Sequence, residues 1–137
     1  MSKPERSFKH RFSTGERRVN VYEFIAGFVT DTELCVTQGY PPEKQLGTFV
    51  HECAHAEWPQ WNHRWIDKVE EAVFRAVWDD NWRWVGKGGT GSLSELCDLI
   101  ADTLYETIGS LKQAESIRSG EVIGRLLWRI GYRKTSS

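Results

Sequence analysis

Cysteine is scarce in this chain, and neither sign of charge is in excess. The three cysteines, Cys35, Cys53 and Cys97, are odd in number and widely spaced, with no C-x-x-C pair. That argues against a disulfide framework and against a cysteine-built zinc knuckle. Eighteen basic residues stand against 19 acidic ones, a formal net charge of −1. Such a balance supplies no field to draw in nucleic acid, so no partner of that class is expected. No run of about 18 apolar residues is present to span a membrane. Met1 to Arg18 is polar and charged, without the apolar stretch of a secretion signal. The expectation is a soluble, reduced, cytoplasmic protein. No internal repeat and no low-complexity tail is legible. The sequence does not specify an oligomeric state.

What is abundant is aromatic surface: seven Trp, six Phe and four Tyr in 137 residues. One domain spanning 1–137 is the natural reading at this length. Ser7–Phe12 and Arg18–Phe28 are rich in aromatic and β-branched residues and flank a turn-like Ser13-Thr14-Gly15-Glu16, which reads as a β-hairpin. Glu33–Thr37 reads as a third short strand after a turn at Thr30-Asp31-Thr32. Gly39-Tyr40-Pro41-Pro42-Glu43 then ends the strands and opens a helix, because proline suits the first helical turn and an acid suits the helix dipole there. Leu46, Phe49, Val50, Cys53 and Ala54 recur at helical spacing, predicting helix 1 over about 42–57. Asn62 is an N-cap for helix 2, whose stripe of Ile66, Val69, Val73, Ala76 and Val77 runs to about residue 84. The glycine-rich 86–91 lacks the GK[ST] ending of a phosphate loop and reads as a linker. A third helix starts at Ser92 or Ser94, and a fourth covers about Ser119–Tyr132. Strands followed by helices predict an α+β fold with a short N-terminal antiparallel sheet and about four helices, its core over about 19–84 and a helical C-terminal extension over about 92–134.

The chemistry concentrates in His51-Glu52-Cys53-Ala54-His55. On helix 1 the two histidines stand one turn apart on one face, where both imidazoles can reach a single tetrahedral metal ion. Glu52 lies beside them, placed as a general base toward water activated by the ion. This is the physical content of H-E-x-x-H. A catalytic zinc takes a third protein ligand and keeps a fourth position open. The candidates are His63, Glu57, Glu70, Glu71, Glu95 and Asp98. His63 leads, since Pro59 and Asn62 let the chain turn back and present it from the start of helix 2. Glu70 borders the apolar stripe of helix 2 and needs a partner: a metal, a ligating histidine or Arg75. His10 reads as a surface residue among Lys9 and Arg11, and Cys53 as core. Most tryptophans read as core, with Trp58 and Trp61, flanking the expected metal loop, as the exceptions.

Pro41-Pro42-Glu43, Leu46, Phe49-Val50-His51-Glu52-Cys53-Ala54-His55-Ala56 and Pro59 resemble the small zincin-type metallopeptidase domains of phage and bacterial genomes, distant relatives of SprT-like and other minimal zincins. The resemblance covers about residues 19–84. It implies a short sheet before the motif helix, His51, His55 and His63 on Zn2+, and Glu52 as general base. Leu126–Arg133 also resembles the end of such domains, which would make 79–120 an insertion and bring Glu95 or Glu115 forward as ligand. No Met-turn and no HExxHxxGxxH is present, so a metzincin is not indicated. The expected function is zinc-dependent hydrolysis of a peptide or amide bond in a protein or peptide substrate. The alternatives are a non-catalytic zinc-containing module that binds a protein partner, or a phage or host-interaction protein whose site is vestigial.

Overall fold

The computed structural model describes residues 6–22, 28–29, 33–37, 41–85 and 88–135. Ten elements follow in order: β1 (Arg6–Phe12), β2 (Gly15–Tyr22), β3 (Phe28–Val29), β4 (Glu33–Thr37), α1 (Pro42–Glu57), α2 (His63–Asp79), β5 (Trp82–Trp84), α3 (Leu93–Thr107), α4 (Gln113–Ile130) and β6 (Tyr132–Lys134). The fold is α+β. The expected turns at 30–32 and 39–40, and residues 86–87 of the glycine-rich stretch, lie outside the described residues.

The N-terminal sheet is mixed rather than antiparallel. Its order is β1-β2-β4-β3. β1 and β2 form the expected hairpin, with Phe12 opposite Gly15. β4 instead runs parallel to β2, with Val19 opposite Leu34. The reason lies in β3, a two-residue strand absent from the sequence reading, which takes the antiparallel place beside β4. A parallel neighbour cannot be joined by a tight hairpin, so β4 is not the next strand of a simple meander. Val19, Val21 and Leu34 of the sheet are fully buried in one cluster with Leu46, Phe49 and Val50 of α1.

The helices begin where their caps dictate. α1 has Pro in its first turn and Glu43 near the positive dipole end. The Asn62 side chain accepts the backbone N–H of Trp65 at 3.2 Å, and that of Ser92 accepts the N–H of Glu95 at 3.1 Å. Cys53 is buried, as expected. Helix 2 stops at Asp79 rather than continuing to 84. Asn81 takes a left-handed φ of 67°, which the helix cannot propagate, and Trp82–Trp84 leaves as a strand. The fourth helix starts at Gln113, one and a half turns earlier than expected.

The chain does contain an internal repeat, contrary to the sequence reading. The unit α1-α2-β5 recurs fifty positions later as α3-α4-β6, from Arg83 to Arg133. Corresponding turns match bond for bond. Trp58 N–H donates to Ala54 O at 2.8 Å, and Ile108 N–H to Leu104 O at 2.9 Å. Asn81 and Gly131, both at positive φ, end the two long helices. Arg83 lies 3.4 Å from the ring centre of Trp78 and donates to the carbonyls of Trp78 and Trp82. Arg133 repeats this on Trp128 at 3.5 Å, donating to the carbonyls of Trp128 and Tyr132. Glu71 and Arg75 pair on α2, as do Glu121 and Arg125 on α4. β5 and β6 join antiparallel with Arg83 opposite Arg133, so a local two-fold at that pair relates the two strands. The expected C-terminal extension is therefore a second copy of the helical unit, and the reading of 79–120 as an insertion gives way to it.

Candidate metal centre

His51 and His55 project from one edge of α1, both half-buried, while Leu46, Phe49, Val50 and Cys53 face the core. The helix ends at Glu57. A tight turn follows, with Trp61 N–H donating to Trp58 O at 3.1 Å. It reverses the chain so that His63, the first residue of α2, comes back over His55. The ring centres of His55 and His63 stand 4.8 Å apart, and those of His51 and His63 5.7 Å apart. Trp58 and Trp61 stack at 4.5 Å across this turn, half-buried, and hold its shape.

One ring nitrogen from each of the three histidines lies within 4.8 Å of the other two. The Nε2 atoms of His51 and His55 are 3.0 Å apart. Two nitrogens on a tetrahedral zinc, each about 2.0–2.1 Å from it, stand roughly 3.3 Å apart. The His51–His55 pair therefore has the spacing of two nitrogens on one zinc-sized ion, with a His63 ring nitrogen within 4.8 Å of both.

Glu70, about two turns further along α2, fixes the tautomer of His51. Its Oε1 lies 2.5 Å from His51 Nδ1. A carboxylate only accepts, so Nδ1 carries the proton and donates, leaving the Nε2 lone pair directed at His55. A carboxylate behind a ligating histidine is the common support of metal sites. Asp67 Oδ1 lies 3.7 Å from the same Nδ1. The sequence reading passed over Asp67; its signal was its place one turn after His63. One ligand atom from each of His51, Asp67 and Glu70 also lies within 4.8 Å of the other two.

Glu52 is nearly buried and lines, with His51, Thr48, Glu70 and Phe74, a cavity of about 520 Å³ between α1 and α2. Burial raises its carboxyl above the usual range, while His51 opposes the shift. Burial, followed by the two neighbouring histidines, lowers the pKa of His55 and favours the neutral imidazole that ligates a metal.

The other candidates are engaged elsewhere. Glu57 is buried and accepts from Ser13 N–H and from the hydroxyls of Ser13 and Ser119. Glu71 pairs with Arg75 at 2.9 Å on the exposed face of α2. Glu95 caps its own helix with Ser92, and neither Glu95, Asp98 nor Glu115 enters a metal-compatible group among the described residues.

His10 is not a surface residue. It is 5% exposed, pinned between β1 and α4, and its Nε2–H donates to Val122 O at 2.9 Å.

The second copy of the helical unit is an internal control. Ala101, Asp102, Tyr105 and Gln113 occupy the positions of His51, Glu52, His55 and His63, and Gly120 that of Glu70. The same helix–turn–helix–strand forms there without one histidine. The α3–α4 pair is also closed: a Cβ on Gly120 would meet Ala101 at 2.7 Å, whereas one on Gly47, beneath Glu70, would meet only a carboxylate oxygen at 3.5 Å. The fold of the unit does not require the histidines. No helix among the described residues is long and apolar enough to cross a membrane. No family model, curated protein or solved structure matches the chain.

Proposed function

We propose that this protein is a zinc-dependent metallopeptidase of the minimal zincin type, with His51, His55 and His63 as ligands and Glu52 as general base. The observation that carries the reading is the contrast between the two copies of the helical unit. Three imidazoles converge in the first, with Glu52 and Glu70 in place, and all five positions differ in the second. Residues that the fold can do without, with ring nitrogens brought within 4.8 Å of one another, are best explained by a ligand.

Zinc bound there would acidify water and polarise a substrate carbonyl. Glu52 takes a proton from the attacking water and returns it to the leaving amine. Glu70, accepting from His51 Nδ1–H, keeps the His51 Nε2 lone pair on the ligand side. The cavity beside His51 and Glu52 gives an extended peptide a place to lie, with Phe74 as an apolar wall and the Thr48 hydroxyl as a polar one. The near-zero net charge favours a peptide over a nucleic acid. A cytoplasmic setting accords with three free cysteines.

The test is hydrolysis of a fluorogenic peptide library by zinc-loaded protein, beside its Glu52→Gln variant. The expected result is one zinc per chain in both proteins and cleavage by the wild type alone. Zinc-loaded wild type that cleaves nothing, or a Glu52→Gln variant that cleaves as well, would overturn the proposal.

A further inference from the structure

A larger cavity, about 630 Å³, opens on another face of the molecule, between β1 and α4. It shares no lining residue with the cavity beside His51. Its walls divide by chemistry. Phe12, Val122 and Trp128 supply a half-buried to buried apolar side. Arg11, Arg118 and Arg125 supply guanidinium groups around the rim.

The cavity is built on a fixed frame. His10 donates to Val122 O, and Arg129 donates to Lys9 O at 2.6 Å while lying 4.2 Å over the Phe8 ring. Arg129 also approaches His10 Nδ1 at 3.4 Å. With Nε2–H committed to Val122, that nitrogen accepts, so His10 is neutral and one tautomer is held. These ties set the spacing of β1 and α4.

The rim cations, by contrast, are uncommitted. The side chains of Arg11 and Arg118 make no hydrogen bond or ion pair among the described residues. Arg125 reaches Glu121, the one acid of the cavity, only at 3.8 Å, with both side chains at least half exposed. Such a pair is weak and easily exchanged. Three guanidiniums facing one carboxylate across an apolar floor suit a ligand with an anionic head and a flat apolar body. The matching stretch of α2 keeps cations at Lys68 and Arg75 but carries Asp79, of opposite charge, where α4 has Arg129.

We propose that the cleft between β1 and α4 binds a small aromatic anion, a carboxylate or phosphate monoester on a planar apolar body, independently of the histidine cluster. Arg118 and Arg125 hold the head group in charge-assisted hydrogen bonds, and Val122 and Trp128 cover the body.

Titrating the full chain with phenyl phosphate and with benzoate, and following backbone and indole resonances, tests this. Inorganic phosphate and phenol serve as controls. Shifts should cluster at Phe12, Arg118, Val122 and the Trp128 indole. Whichever aromatic anion binds more tightly identifies the head group. Arg118→Gln with Arg125→Gln should weaken binding at least about tenfold, with an unchanged unfolding midpoint because both residues are exposed on α4. Lys68→Gln, the same change at the matching site of the first copy, should leave binding unaltered. Equal binding by the double variant, binding of inorganic phosphate as tight as that of phenyl phosphate, or absence of clustered shifts would each overturn the proposal.

Discussion

Ala101 occupies in α3 the position that His51 occupies in α1, fifty residues earlier, in a helix of the same length class and with the same following turn. The first prediction follows from this. His51→Ala and His63→Gln introduce the residues the second copy carries, and His55→Ala truncates a side chain that Tyr105 replaces there. Each should leave stability within about 0.5 kcal/mol of wild type in metal-free protein. Each should weaken zinc binding by more than about 100-fold, beyond what loss of a supporting partner does. Urea unfolding and competition with a zinc chelator measure the two effects. Full zinc affinity in His63→Gln would remove that residue from the ligand set.

Glu70 acts through His51. Glu70→Gln can still accept from Nδ1–H but loses its charge, so zinc affinity should fall by about 10–100-fold without a change of ligands. Chelator competition gives the affinity, and X-ray absorption of the zinc-loaded variant should report the same nitrogen coordination.

The two helical pairs differ in how closely they pack, and glycine substitution reads the difference. At Gly120 a methyl group would meet the Ala101 backbone at 2.8 Å, which only separation of α3 from α4 can relieve. Gly120→Ala should cost about 1–3 kcal/mol. At Gly47 the added carbon meets only Glu70 Oε2 at 3.5 Å, and alanine favours the helix by about 0.5–1 kcal/mol. Gly47→Ala should therefore be neutral or stabilising. Chemical denaturation of both variants checks the opposite signs.

Burial lowers the His10 pKa below its ordinary 6.5, with Arg129 and Arg125 acting in the same sense and Val122 O and Glu57 against it. The unfolded chain then binds this proton more readily than the folded one. The stability His10 contributes is thus present above about pH 6.5 and is lost as pH falls through 6.5 toward the folded value. One such group gives a slope of at most about 1.4 kcal/mol per pH unit. His10→Gln should flatten the fall of unfolding free energy below pH 6.5, measured by urea denaturation at a series of pH values.

Helix α1 and the histidine cluster were legible because their signals are local. Pro42, Glu43 and the spacing of Leu46, Phe49, Val50 and Cys53 define the helix, and His51 and His55 are one turn apart on it. His63 could be placed because Pro59 and Asn62 mark the turn that returns it. The repeat was hidden because it conserves burial and turn geometry more than residue identity: Glu71/Glu121, Arg75/Arg125, Trp78/Trp128 and Arg83/Arg133 are matching pairs in otherwise diverged helices. Tryptophan followed five residues later by arginine, twice, was the available signal. The parallel pairing of β2 with β4 and the burial of His10 depend on contacts distant in sequence, which no local pattern records.

The β5–β6 ribbon has a mechanical consequence. Each helical pair is held by neighbours close along the chain, but the ribbon ties Trp82–Trp84 to Tyr132–Lys134 across the whole of the second copy. Thr135 N–H donates to Asn81 O at 2.8 Å at its end. A pull on the C-terminal side loads these bonds one after another, as a zip rather than in shear. The second copy then works as a brace whose fastening can open while the histidine-bearing copy stays closed.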